Sequence, residues 1–148
     1  MRRVIAALAV TLLAGLAYAQ EKPGGYATGE NPFQGDYAFA LKQPLDLRVE
    51  VAGMRFDSVS VTPLGEVKPG EKVKCQVGAI GSNVGQKKAT VTAVLLLEDA
   101  EGHNLERISL DPFKVKSERP FEEAQKLSVS SDALAAAARV YVYLSIGF

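Results

Sequence analysis

Apolar and polar residues alternate with a period of two over much of the chain from residue 44 onward. This period places successive side chains on opposite faces of an extended strand, and it is typical of strands that are buried on one side. The pattern predicts about seven strands, which turn-forming residues separate at short intervals. The runs are 45–51, 58–62, 73–79, 90–98, 105–110, 127–130 and 140–146. The run 90–98 is apolar on both faces at residues 94–97, which predicts a central strand that is covered on both sides near its end.

The segments between these runs favour an antiparallel arrangement. Pro69-Gly70 and Asp99-Ala100-Glu101-Gly102 are typical turn sequences. The one helical signal is a short alanine-rich turn near residue 135, which Ser131 or Asp132 could cap. Because no predicted helix is long enough to connect parallel strands, we expect an all-β fold, a single antiparallel β-sandwich of residues 44–148.

The N-terminus predicts an export signal. Residues 1–19 have a basic start, an apolar run over residues 4–16 and the small-x-small sequence Ala17-Tyr18-Ala19 that signal peptidase accepts. The apolar run is shorter than the ~20 residues that cross a bilayer. We therefore expect a mature chain that begins at Gln20, has no stable membrane span, and is periplasmic or secreted.

Residues 20–43 are rich in glycine and proline, and we expect an irregular N-terminal arm there. Within it, Tyr37, Phe39 and Leu41 alternate with alanines, a pattern that is able to add a strand to an open sheet edge. Such an arm either pairs with its own domain or reaches a neighbouring subunit and supports self-association. The sequence leaves both interpretations open.

The charge balance disfavours a nucleic-acid partner. The full chain has 17 Lys+Arg and 17 Asp+Glu, and loss of two arginines with the signal leaves 15 against 17, a net charge of −2. Nucleic-acid binding requires a clustered positive surface. The lysines at positions 68, 72, 74, 87 and 88 are interleaved with acidic residues and strands, which is typical of a solvated face.

Residues for catalysis and for transition-metal binding are scarce. Cys75 is the single cysteine and His103 the single histidine, so zinc and blue-copper sites both lack ligands. The alternation predicts that Cys75 is buried, and His103 follows a predicted turn without an obvious nucleophile. We expect no catalytic residues, no metal and no cofactor. One question stays open, because Asp99, Glu101 and Asn104 could supply oxygen ligands to calcium.

The last predicted strand carries the best candidates for a binding surface. Tyr141 and Tyr143 share its outward face, and amphipathic aromatic side chains on a surface are common in contacts. Together with Tyr37, Phe39 and Leu41 they are the candidate binding residues. The alternative is that these side chains pack against a neighbouring strand or the arm.

Structural motifs follow a fixed order along the domain: an alternating strand, a Pro-Gly turn, a second strand, an Asn-x-Gly turn, a small residue and a long strand. The matching residues are Leu47 and Val49, Pro69-Gly70, Val73 to Val77, Asn83-Val84-Gly85, Ala89, and Val94 to Leu97. This order resembles the bacterial immunoglobulin-like modules of the CARDB type. The resemblance implies an immunoglobulin-like β-sandwich, a role in adhesion, scaffolding or domain display, and no catalytic residues.

The expected function is that of a non-catalytic exported module for protein interaction or assembly in the bacterial cell envelope, with an envelope or secreted protein as partner. The alternative is a small-ligand or glycan-binding module, for which tyrosines and arm phenylalanines must serve because the chain has no tryptophan. A third hypothesis is a protease inhibitor that presents residues 111–121 as a loop, stiffened by Pro112 and Pro120.

Overall fold

The structure is a computed structural model that describes residues 25–148, and these residues form a sandwich of two β-sheets. The all-β fold predicted from the alternation is confirmed. The predicted signal, residues 1–19, and the first five residues of the arm lie outside the described residues. In chain order the elements are β1 (Ala27–Gly29), β2 (Phe33–Ala38), β3 (Leu45–Val51), β4 (Met54–Pro63), β5 (Lys72–Asn83), β6 (Ala89–Glu98), β7 (Asn104–Ser109), β8 (Phe113–Val115), β9 (Arg119–Ser130), α1 (Ser131–Ala136) and β10 (Arg139–Gly147).

Each sheet has five strands. Sheet 1 has the order β1-β3-β4-β5-β9, and sheet 2 has the order β2-β10-β6-β7, with β8 paired to β6 on the same side as β7. Neighbouring strands are antiparallel except for β1 and β3, which are parallel. The edge strands are therefore β1 and β9 in sheet 1, and β2 and β7 with β8 in sheet 2.

The core lies between the sheets, where every second side chain of the long strands points inward. The largest nearly unexposed side chains are Phe56, Met54, Leu95, Leu97 and Leu144. Cys75 is 0% exposed, as the alternation predicts. Burial raises the pKa of its thiol, so the thiol is protonated and inert at neutral pH.

The predicted arm is corrected in one respect, because its described part contains two strands. β1 pairs with β3, and β2 pairs with β10. Glycines interrupt the alternation here for a packing reason: a Cβ on Gly29 would lie 2.7 Å from the ring of Phe33, and one on Gly35 would lie 2.9 Å from the ring of Tyr37. The seven predicted runs correspond to β3, β4, β5, β6, β7, β9 and β10, and β1, β2 and β8 are additional.

The helix α1 begins one residue earlier than predicted. Ser130 is the N-cap, and its Oγ accepts a hydrogen bond from the Ala133 N–H at 3.2 Å. The Asp132 carboxylate accepts the Gly70 N–H instead, at 3.2 Å, and so joins α1 to the Pro-Gly turn. None of the described helices has the length and apolar character needed to cross a membrane.

Asn83, at the end of β5, is a buried polar residue that fixes the Asn-x-Gly turn. Its Nδ2 donates to the carbonyls of Lys87, at 2.8 Å, and Val115, at 3.2 Å, and its Oδ1 accepts the Gly85 N–H at 2.9 Å. These bonds satisfy the amide inside the protein. They also attach β8 to the turn between β5 and β6.

The two-residue turn between β3 and β4 gives a first prediction. Ala52 and Gly53 both have positive φ, 50° and 83°, as in turns that favour Asn-Gly. Because asparagine tolerates this conformation better than alanine, we expect Ala52→Asn to raise the free energy of unfolding by about 0.5–1 kcal/mol, measured by urea denaturation. Ala100→Asn is the control, since Ala100 is an exposed turn residue without positive φ. Equal gains in both variants would contradict the explanation.

Candidate functional site

Tyr141 and Tyr143 lie on the outer face of sheet 2, while the residues that alternate with them on β10 are buried in the core. The register of β10 and β6 places Leu96 beside Tyr141 and Val94 beside Tyr143. Leu96 and the two tyrosines are partly exposed, and Val94 is 8% exposed although it faces outward. These four residues adjoin one another on the outer face of sheet 2, and we name this group the tyrosine face, to which Val94 contributes little exposed area.

The tyrosine face has a polar border on both sides. β2 contributes Gln34 and Asp36, and β7 contributes Arg107 and Ser109. The Tyr141 hydroxyl donates to Gln34 Oε1 at 2.5 Å, which fixes the orientation of the ring. An apolar centre with a polar border is the usual composition of a protein interface. A side chain that is already held in place loses less entropy on binding.

The other predicted binding residues do not join the tyrosine face. Phe39 is 8% exposed and belongs to the core, and Tyr37 and Leu41 pack against the core. Burial raises the pKa of the Tyr37 hydroxyl. The arm therefore adds a strand to its own domain in this structure, and its aromatic side chains stabilise the sandwich.

Val94 and Leu96 are part of the surface but were not among the predicted binding residues. The signal for them exists in the sequence, because Val94 to Leu97 is apolar at consecutive positions. A strand with only one buried face needs apolar residues at alternate positions. The two additional apolar residues thus indicate a second apolar surface on the opposite face of β6.

Glu98 lies at one end of this face, next to Arg139 in the register of β6 and β10. Arg139 forms an ion pair with Asp36 at 3.1 Å. Glu98 Oε1 is buried, and it has no hydrogen-bond partner among residues 25–148. Desolvation, followed by the negative charge of Asp36, raises the pKa of the Glu98 carboxyl. The charged form of Glu98 therefore opposes folding.

The turn between β6 and β7 brings Asp99, Glu101 and His103 together, and their possible ligand atoms lie within 4.8 Å of one another. Asp99 Oδ1 accepts the N–H groups of Glu101, at 3.0 Å, and His103, at 2.9 Å, while Oδ2 lies 3.1 Å from His103 Nδ1. The backbone bond from His103 is the largest cause that lowers the pKa of Asp99. The Asp99 carboxylate thus closes the turn, which accounts for the cluster without a cation. Asn104, the third residue in the calcium hypothesis, follows this turn as the first residue of β7.

A cluster of cations occupies one end of the sandwich, which we name the basic end. Asn83 brings its segments together, because its side chain bonds to the backbone of Lys87 and Val115, and its own backbone is the register partner of Arg119. The cations are exposed, and none has an ion pair within the described part of the chain. They are Lys87, Lys88, Lys114, Lys116 and Arg119.

The basic end was missed in the sequence because its two segments are more than 20 residues apart. Glu118 is the single acidic residue in residues 84–88 and 113–119. Lys114, Lys116 and Arg119 line a groove of about 310 Å³, with Phe121 as an apolar wall. The interpretation of Lys87 and Lys88 as part of an interleaved solvated face does not describe this end of the molecule.

Comparison with known proteins adds no family: no family model matches the chain, and no curated protein matches it. The resemblance to CARDB-type modules therefore stays a prediction. Two sheets packed as a sandwich are common to many unrelated families. The functional argument consequently depends on the surfaces of this chain.

The environment of Glu98 gives a second prediction. The raised pKa means that the folded state favours the protonated Glu98 carboxyl. The contribution of this preference to stability is complete at pH values below the pKa of Glu98 in the unfolded chain, and it is lost as the pH rises through the pKa of Glu98 in the folded protein. Glu98→Gln imitates the protonated form. We expect it to raise the thermal midpoint by about 2 °C at about pH 7 and to have no effect at about pH 4, measured by circular dichroism.

Glu30→Gln is the control, because Glu30 is exposed and lies outside the strands. It removes the same charge from an exposed carboxylate instead of a buried one, so the thermal midpoint of this variant should match that of the unmodified protein at both pH values. A gain for Glu98→Gln that persists at acid pH would contradict the assigned cause.

Proposed function

We propose that this protein is a non-catalytic, exported interaction module of the bacterial cell envelope, and that the tyrosine face binds an envelope or secreted protein. The observation that carries the proposal is the group of adjoining apolar and aromatic side chains on the outer face of sheet 2. The solvated face of an antiparallel sheet normally carries polar side chains, so apolar and aromatic side chains at adjoining positions there favour a contact with another protein. The export signal predicted for residues 1–19 supports the location in the periplasm or outside the cell.

The composition of the surface favours a protein as partner. Tyrosines contribute a large contact area together with a hydroxyl for hydrogen bonding, and they are enriched where proteins meet. Arg107 on one border and Asp36 on the other supply charges of both signs. Sites for small molecules are concave, whereas the tyrosine face is the open side of a sheet.

The proposal of a non-catalytic role is supported by the positions of the cysteine and the histidine. Cys75 is buried with a raised thiol pKa, and His103 is exposed in a turn. A nucleophile and its base need to be within hydrogen-bond reach of each other. His103 contacts Asp99 instead, and Asp99 is engaged by the backbone of the turn. Hydrolytic or redox activity in the purified protein would contradict the proposal.

A third prediction tests the tyrosine face. A photoreactive amino acid at position 143 should crosslink one envelope or secreted protein in intact cells. With that partner purified, we expect Tyr143→Arg to raise the dissociation constant about tenfold or more, because a charge replaces a central apolar contact. Isothermal titration calorimetry measures the constant.

Thr62→Arg is the matched control, since Thr62 is exposed on β4 of sheet 1, away from sheet 2. It adds the same side chain to a strand and should leave the dissociation constant unchanged. Circular dichroism verifies that both variants fold. Equal weakening by Thr62→Arg and Tyr143→Arg would place the contact elsewhere.

The basic end favours a second candidate function, the binding of an acidic small ligand or glycan. Five cations without ion pairs in the described chain lie at this end, and three of them line the groove, while the mature chain as a whole carries the opposite net charge. Such a local field attracts anions and depends strongly on ionic strength. The sulfated glycan heparin is a suitable probe because its charge is dense and regular.

The fourth prediction follows from this cluster. Lys114→Glu combined with Lys116→Glu should lower heparin affinity about tenfold or more at low ionic strength, as measured by titration calorimetry. Lys72→Glu with Lys74→Glu changes the net charge equally, but these lysines lie on the exposed face of β5. If both double variants lose the same affinity, heparin senses only the net charge, and the second candidate function is excluded.

The protease-inhibitor hypothesis receives less support from the geometry of residues 111–121. Phe113 and Val115 are buried in β8. Asp111 is held at both backbone groups by the Gln125 side chain, at 2.8 Å each. Inhibitory loops need an exposed extended segment, whereas this stretch is attached to the sandwich along its first half.

A further inference from the structure

The strand β9 is an open edge of sheet 1. It has 12 residues and pairs with β5 along its whole length. On its other side, no strand of residues 25–148 pairs with it. In an antiparallel sheet, every second residue of an edge strand presents its N–H and C=O groups away from the sheet. β9 therefore offers a row of backbone groups to another strand, in which Pro120 alone lacks an N–H.

The sequence of β9 is complementary to itself. When two copies are placed antiparallel with Ala124 opposite Ala124, Glu122 of each copy faces Lys126 of the other. In the same register, Phe121 faces Leu127. The two charge pairs are symmetric about Ala124. Opposite charges in directly facing positions stabilise a strand pair, and like charges destabilise it.

The charges that would meet are available for this contact. Glu122, Ala124 and Lys126 are exposed on the outer face of sheet 1. Neither Glu122 nor Lys126 forms an ion pair within the described residues. The adjoining residue on β5 is Gly78, the register partner of Ala124. The centre of the contact is thus small and leaves room for the flanking side chains.

The inner face of β9 is already anchored, so pairing at its edge needs no change in the core. The ring of Phe121 packs against Phe56 and Phe113, with centroids 5.9 and 5.5 Å apart. Gln125 Nε2 donates to Glu123 Oε2 at 3.0 Å and also holds the Asp111 backbone. These contacts fix the inward side chains of β9. A strand held in this way loses little conformational freedom when it pairs.

We infer that the protein forms a two-fold symmetric dimer in which β9 pairs antiparallel with β9 of a second copy, centred on Ala124. Sheet 1 of each copy then continues into the other as one sheet of ten strands. Such an isologous contact closes on itself and adds no further copies. It uses neither the arm, which pairs with β10 of its own domain, nor the tyrosine face, so it stands apart from the proposed function.

The size of the contact sets the expected strength. One strand pair buries less surface than the interfaces of ~1,600 Å² that are typical of stable complexes. The dimer should therefore dissociate in the micromolar range and depend on protein concentration. Sedimentation velocity over a dilution series measures this equilibrium directly on the full mature chain.

The fifth prediction uses a charge exchange. Glu122→Lys places lysines opposite each other twice in the dimer, and Lys126→Glu does the same with glutamates, so each should raise the dimer dissociation constant about tenfold or more. The double variant, Glu122→Lys with Lys126→Glu, restores opposite charges and should return the constant to within about threefold of the original. Lys74→Glu, on the same face but not at the edge, should have no effect.

A cysteine placed on the two-fold axis gives an independent measurement. Facing Cα atoms in a strand pair lie about 4.5–5.5 Å apart, within the range for a disulfide. Ala124→Cys should therefore form a covalent dimer under mild oxidation. Ser128→Cys is the matched control on the same strand and face, because its copy would lie ~26 Å away across the axis. Cys75 is buried and does not interfere.

Two results would overturn the inference as a whole, and a third would overturn its register. One is a protein that stays monomeric at all concentrations, with no faster crosslinking of Ala124→Cys than of Ser128→Cys. The other is a dimer that neither single charge variant weakens, which would assign self-association to another surface such as the tyrosine face. Loss of dimer in both single variants without recovery in the double variant would likewise exclude the proposed register.

Discussion

The strand at the edge of a sheet leaves backbone N–H and C=O groups without a partner in that sheet, and a sandwich of two open sheets has four such edges. Two side-chain amides act here in place of missing strands. The Asn31 side chain donates to the Ile146 carbonyl at 2.8 Å and accepts the Ile146 N–H at 2.9 Å, just before β2 begins. Gln125 does the same for Asp111, beyond the end of β7. Each amide presents the same donor and acceptor pair as a peptide group.

The arm and Asn83 complete this closure on opposite sides of the molecule. β1 and β2 belong to one short segment but pair with different sheets, so the arm closes one side of the sandwich. On the other side, the amide of Asn83 joins β8 to the turn after β5. Removing a partner of a buried amide leaves its hydrogen-bonding groups unsatisfied at a cost of about 1–3 kcal/mol. The bonds of Asn83 thus reinforce the strand pairing that positions the basic end.

The sequence pattern was sufficient to predict which side chains are buried wherever the alternation within a single strand is regular. β3, β5 and β10 have apolar residues at alternate positions, so their faces follow from local order, and the burial of Cys75 follows with them. The inward face of the first half of β9 could not be predicted in this way, because its inward positions include the polar residues Glu123 and Gln125. The Gln125 side chain is satisfied by Asp111, 14 residues away, and such a long-range bond leaves no periodic signal.

The residues of the candidate surfaces also differ in how far they could be predicted from the sequence. Tyr141 and Tyr143 could be assigned to one outward face because they are two residues apart on a single strand. Val94 and Leu96 join them only through the register of β6 and β10. The basic end forms through the pairing of β8 with β6 and of β9 with β5, together with the bonds of Asn83. Both depend on pairing between distant segments. Local periodicity specifies which face a residue occupies, but the strand that lies beside it is decided by the whole fold.

The geometry of the proposed dimer also links its two surfaces. Facing residues of an antiparallel pair point to the same side of the sheet, so the two-fold axis through Ala124 is perpendicular to the ten-stranded sheet. Both copies of sheet 2 then lie on the same side of that sheet, and both tyrosine faces point in the same direction. A target with repeated binding sites, such as an ordered envelope surface, could be engaged by both copies at once. The second contact would form at the high effective concentration that the first contact creates, so weak pairing through β9 is sufficient to increase retention at such a surface.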